Sequence, residues 1–193
     1  LHLSLRRQRQ MCIRDRPQVA QGLKRPKFDS LYSLSWYRQP YRHWISQWKF
    51  QQHHAAGELL CQLLYQRAIL YQQQGGPLPD CISYTPVSNQ RLQERGFNQA
   101  KLLAQQLARA WHKPCVSLFQ SPDLVPHQIG LKRKERLANL KGKIQLQERP
   151  LPAHITLVDD VITTGATLDY LSALLKAKGV QTVSVWTLAI TRA

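Results

Sequence analysis

Residues 155–167 read ITLVDDVITTGAT, and the rest of the chain is best read outward from this stretch. Ile155, Thr156, Leu157 and Val158 form the β-branched-rich run of a strand buried in a parallel sheet. Asp159 and Asp160 stand where that strand is predicted to end. A small, hydroxyl-rich turn follows, Thr163, Thr164, Gly165, Ala166 and Thr167, and the spacing of Leu168, Leu171, Leu174 and Leu175 then predicts a helix. Gly165 permits a backbone bend that a side chain would oppose. The N–H groups opening a helix lack intrahelical acceptors and carry the positive end of its dipole, so the segment from Val161 to Thr167 is a cradle for a phosphate. The two acids beside it can accept from a vicinal diol, and a ribose 5-phosphate carries both groups. The plainer alternatives are an ordinary α/β crossover, or paired Asp holding Mg2+ in another doubly wound fold.

Downstream, Gly179 is predicted to cap the helix, and Val183, Val185 and Leu188 alternate in a final strand. Strand, helix and strand together predict a parallel crossover unit. Upstream, residues 81–87 (CISYTPV) predict a strand that leads into SNQRLQERGFNQA, with Arg91 and Arg95 on the turn that follows. Ala100, Leu103, Leu107 and Trp111 make one helical stripe, and residues 115–119 predict a short strand. Residues 28–37 suit an edge strand or hairpin arm. A helical pattern follows Pro40 and runs to Leu64, with Gly57 its weak point, and Trp44, Trp48 and Phe50 are assigned to the core in preference to base stacking. His53 and His54 are adjacent, too close in sequence to share a helix face as metal ligands, and are placed at a solvated helix end. Residues 120–152 are polar and basic, and so long a stretch between core elements predicts either a mobile active-site loop or disorder.

A chain of 193 residues with 43% hydrophobic and 20% charged side chains is globular in composition and long enough to bury a core. No run reaches the length of a membrane span and no signal peptide is recognisable, so a cytoplasmic location is expected. The four cysteines, Cys12, Cys61, Cys81 and Cys115, lack metal-ligand spacing, and no zinc is expected in this chain. The net charge of +16 favours a polyanionic partner, whether nucleotide, diphosphate or nucleic acid. Residues 1–27 carry eight basic side chains against Asp15 alone, and MCIRDR (residues 11–16) reads as translated adaptor rather than coding sequence. They are assigned no function, and residues 28–193 are taken as one domain.

The opening stretch resembles the phosphoribosyl diphosphate (PRPP) motif of type I phosphoribosyltransferases. Pro86, Arg91, Arg95, Gly96, Phe97, Asn98 and Gln99 are similar to a P-x-P…R-x-x-x-R-G-F-N-Q signature of the ComF family, competence-associated proteins of phosphoribosyltransferase type. Tyr84 replaces the first proline. Gln128, Leu131, Arg136, Asn139 and Gly142 are similar to the family's Q-x-x-L…R-x-x-N-x-x-G, and Lys49-Phe50 suits a helix the family shares. The family's four-cysteine zinc ribbon has no counterpart here, and a truncated or misjoined start would account for that. An arginine and a threonine that commonly precede the Gln-x-x-Leu segment are also missing.

The resemblance implies an α/β type I phosphoribosyltransferase fold, a parallel sheet flanked by helices with a mobile basic loop. Asp159 and Asp160 would be the catalytic pair, accepting from the ribose hydroxyls and contacting Mg2+ directly or indirectly. Val161, Thr163, Thr164, Gly165, Ala166 and Thr167 would hold the 5-phosphate. Arg91 and Arg95 would hold the diphosphate, while Gln128, Lys132, Arg133, Arg136 and Asn139 would belong to the loop that excludes water. Two functions compete. One is a Mg2+-dependent phosphoribosyltransferase linked to DNA uptake. The other is a non-catalytic nucleotide or single-stranded DNA binding protein with a competence helicase as partner. A metal-dependent phosphohydrolase is the weaker third, and a homodimer is left open.

Overall fold

The computed structural model describes residues 26–120 and 144–191. Four strands make one wholly parallel sheet in the order β1-β6-β5-β2. They are β1 (Ser30–Trp36), β2 (Cys81–Tyr84), β5 (His154–Ile162) and β6 (Thr182–Ile190). Between β1 and β2 lie α1 (Tyr41–Phe50) and α2 (His54–Gln73), and after β2 come α3 (Asn89–Arg95) and α4 (Gln99–Trp111). Helix α5 (Ala166–Ala177) links β5 to β6. A separate antiparallel ribbon joins β3 (Phe119–Gln120) to β4 (Gln145–Leu146). This is the α/β arrangement expected, a parallel sheet flanked by helices and consistent with a type I phosphoribosyltransferase-like fold. Among the described residues no helix is long and apolar enough to cross a membrane.

The sheet is buried on both faces, so its central strands are apolar almost throughout. One face, with Ile155, Leu157, Val183 and Val185, packs against Leu168, Leu171 and Leu175 of α5. The other, with Val158, Trp186 and Leu188, packs against Ile45 and Trp48 of α1, Leu60 and Leu64 of α2, and Leu103 and Leu107 of α4. Side chains of a regular strand alternate between faces. Here the alternation changes phase at one level across three strands. Ile162, Ile190 and Trp36 join the α5 face, while Val161, Ala189 and Tyr37 join the opposite one. At that level side chains replace part of the ladder. Ser33 Oγ donates to Ser35 O at 2.8 Å, and Thr187 Oγ1 donates to Asp160 O at 2.8 Å. The N–H groups of Asp160 and Val161 donate to the carboxylates of Asp159 and Asp160, at 2.9 and 2.6 Å.

Several expectations need correction. The strand does not end before the acids but continues through both to Ile162, because the carboxylates satisfy local backbone donors that the crease frees. The helical pattern breaks at residues 51–53 rather than at Gly57, which sits inside α2 against Trp48 of α1. His53 is the N-cap of α2, its ring accepting from Ala56 N–H at 3.2 Å. Trp48 is in the core, whereas Phe50 is 71% exposed and is no core residue. Within residues 115–119 only Cys115 joins the sheet, as a single parallel bridge to Ile82, and Phe119 belongs to the ribbon.

Candidate functional site

The site lies at the C-terminal end of β5, where open α/β sheets bind ligands. Asp160 is buried and Asp159 half-buried. Thr85, just past β2, donates its hydroxyl to Asp159 Oδ1 at 2.9 Å. Lys49, near the end of α1, sets its ammonium 2.6 Å from Asp160 Oδ2. Burial pushes the Asp159 carboxyl up to about 7, and the neighbouring Asp160 pushes it further the same way. Lys49, the Thr85 hydroxyl and the Asp160 N–H oppose that rise. A buried carboxyl raised beside a second acid is an attractive place for a cation.

Three residues beyond β5, Gly165 takes a left-handed conformation (φ 69°) and opens α5. No side chain caps that helix, although Ala166 N–H reaches Thr164 Oγ1 at 3.4 Å. Ala166 and Thr167 form its first turn, Thr163 is exposed, and Val161 lies within β5. The cradle residues and the acid pair are therefore consecutive around one strand-to-helix junction.

The segment RGFNQ becomes a clasp whose members each have a distinct contact. Arg95 ends α3, its guanidinium 5.6 Å from the centroid of the Phe50 ring and its Nη1 donating to Gln99 Oε1 at 3.3 Å. Gly96 is the left-handed C-cap of α3 (φ 78°). Phe97 stacks on Trp48 with centroids 5.7 Å apart, which fixes α1 beside Lys49. Asn98 caps α4 by accepting from Lys101 N–H at 3.2 Å, and its amide donates to Thr85 O at 3.1 Å. Gln99 is buried, and its Nε2 has no hydrogen-bond partner among the described residues. A buried amide N–H left unpaired is costly, and a ligand oxygen would satisfy it. Arg91 and Arg95 lie one turn apart on α3, a short helix rather than the turn expected.

Comparison with known proteins decides the family. No family model matches the chain. The DNA utilization protein YhgH of Salmonella typhi is 34% identical over 173 residues, spanning 87% of this chain and 75% of that protein. Competence protein F of Haemophilus influenzae is 37% identical over 172 residues, 85% of this chain and 74% of its own length. The chain belongs to the ComF family. Competence protein ComFC of Bacillus subtilis is 38% identical over a shorter stretch of 94 residues, 49% of this chain and 37% of that protein.

For this ComF-family chain, Gln128, Lys132, Arg133, Arg136 and Asn139, assigned to the loop, lie outside the described residues, as do residues 1–25. Lys49, Thr85 and Gln99 are the site residues that the sequence reading did not assign. Lys49-Phe50 was a visible signal, but nothing in the sequence tells which of the two points inward. The donor set suits Mg2+, a hard cation that takes carboxylate oxygens and keeps places for waters and phosphate. Among the described residues no group of three or more His, Cys, Asp or Glu is placed to hold a metal. Among the described residues the thiols are poor nucleophiles, since burial pushes Cys61 and Cys81 up to about 11 and raises Cys115 as well.

Proposed function

We propose that this chain binds PRPP with Mg2+ at the acid pair and the turn after β5, and acts as a phosphoribosyltransferase in DNA utilization or competence. The cytoplasm is its proposed location. The observation that carries the reading is the junction itself, where Asp159 and Asp160 precede an uncapped helix start by a few residues. The turn would hold the 5-phosphate through backbone N–H groups and threonine hydroxyls. Asp159 and Asp160 would accept from the ribose hydroxyls. Mg2+, when bound, supplies positive charge against the diphosphate. As the bond from the anomeric carbon to the diphosphate oxygen breaks, the carboxylates favour the oxocarbenium-like ring, and an acceptor nucleophile closes on that carbon. Arg95 and the unpaired Gln99 amide would receive the departing diphosphate.

Calorimetry on the full chain tests this: Mg2+ with PRPP gives a binding heat that Asp159→Asn combined with Asp160→Asn abolishes. An unchanged heat in the double variant removes the assignment. Diphosphate release over a panel of acceptors then reports on catalysis.

A second reading, a non-catalytic binder of single-stranded DNA, is favoured by one observation. Phe50 stands exposed beside Lys49 with the Arg95 guanidinium over its ring, a combination on which an unpaired base can stack. It calls for salt-dependent binding of an oligonucleotide without diphosphate release.

A further inference from the structure

We propose that Lys49 is the built-in counter-ion of the acid pair, displaced from Asp160 by a divalent cation and then transferred to anionic oxygens of the bound ligand. The inference rests on the reading of Asp159 and Asp160 as the site for Mg2+ and PRPP. Its basis is the occupancy of Asp160. Oδ1 accepts from Val161 N–H at 2.6 Å, and Oδ2 faces the Lys49 ammonium at 2.6 Å. A metal ion approaching Asp160 meets an oxygen already neutralised. Lys49 and Asp160 keep only 18% and 13% of their side-chain surface exposed, so water screens the pair little.

Charge decides which partner wins. One ammonium offsets half of the acid pair, whereas a divalent cation offsets all of it. A half-buried ammonium that loses its carboxylate needs another anion. A diphosphate held by the same cation brings one, and a lysine is a compact point charge well suited to phosphate oxygens. The backbone of α1 need not move for this exchange. Ile45 and Trp48 anchor the helix in the core, Trp48 is stacked on Phe97, and only the lysine side chain must turn. Lys49 would thus offset one negative charge of the empty site and give its own charge to the ligand once a metal has entered.

The test uses the full chain and reads the acylation rate of the Lys49 amine by mass spectrometry, with the exposed Lys101 as internal reference. Three conditions are compared: no addition, Mg2+ alone, and Mg2+ with PRPP. Mg2+ alone is expected to raise Lys49 labelling severalfold, and PRPP to bring it back to the metal-free rate or below. A Lys49 rate equal in all three conditions, or lowered by Mg2+ alone, overturns the proposal. If Mg2+ raises the rate and PRPP leaves it raised, the counter-ion exchange stands and the transfer to PRPP falls. Calorimetry on Lys49→Met gives an independent readout. The variant is expected to bind Mg2+ alone more tightly and Mg2+ with PRPP more weakly than the unaltered chain. A merely structural lysine would weaken both.

Discussion

Asp159→Asn is expected to make the ligand-free protein more stable while it destroys the site. The Asp159 carboxyl is pushed up to about 7 from an ordinary value of 3.8. Between those values the folded protein holds a proton that the unfolded chain has released. The stability this proton carries is complete below the unfolded value and is lost as pH rises through about 7. Three pKa units at about 1.4 kcal/mol each set a ceiling of about 4 kcal/mol. Coupling to Asp160 and relaxation of the surroundings reduce this to about 2–3 kcal/mol. Asparagine keeps an oxygen that can accept from Thr85 and from the Asp160 N–H, and it brings no charge. For a chain of this size the variant should therefore melt roughly 5 to 10 °C higher at pH 8, with the advantage narrowing by pH 5. Thermal unfolding of both proteins at the two pH values measures it. A variant that melts lower at pH 8, or whose difference is the same at both, refutes the argument. For the unaltered chain, Mg2+-PRPP affinity should climb as pH rises through about 7, since binding needs the ionised acid.

The sequence shows the strand-to-helix junction plainly because two strong signals meet there, a β-branched run and a leucine stripe at helical spacing. It does not show that β5 runs on through Asp159 and Asp160. Acids are depleted from strands, and only the crease across β1, β6 and β5 explains how two of them fit. That crease depends on hydroxyls of Ser33 and Thr187, far from the acids in sequence and unremarkable where they stand. Phe50 is a similar case. Aromatic residues in a helical pattern usually pack inside, and the three- and four-residue steps carry Trp48 into the core. The next two residues diverge, Lys49 inward to Asp160 and Phe50 outward under Arg95, because α1 ends there and α3 approaches from the other side. The clasp made by RGFNQ was legible as a signature but not as a set of contacts, since its partners Trp48, Thr85 and Phe50 come from three other segments.

Two further substitutions test how the lip of the site is held. Phe50→Ala removes an exposed ring, so stability should stay within about 0.5 kcal/mol, while oligonucleotide affinity falls by about 1–3 kcal/mol in fluorescence anisotropy if bases stack there. Full retained affinity sinks the stacking reading. Gly57→Ala probes the support of Lys49. A Cβ at position 57 would lie 2.4 Å from Trp48 Nε1 and 2.6 Å from Cε2. The indole is buried and stacked on Phe97, which limits how far it can shift. Alanine gains about 1 kcal/mol in helix propensity, and overpacking costs about 1–3 kcal/mol. A net loss of about 1 kcal/mol is expected as a lower urea midpoint with unchanged slope. The same push on α1 should loosen Lys49 from Asp160, so Lys49 in this variant should acylate faster even without Mg2+. A Gly57→Ala protein as stable as the unaltered chain, with Lys49 equally protected, would mean that α1 is not what holds the ammonium on the acid.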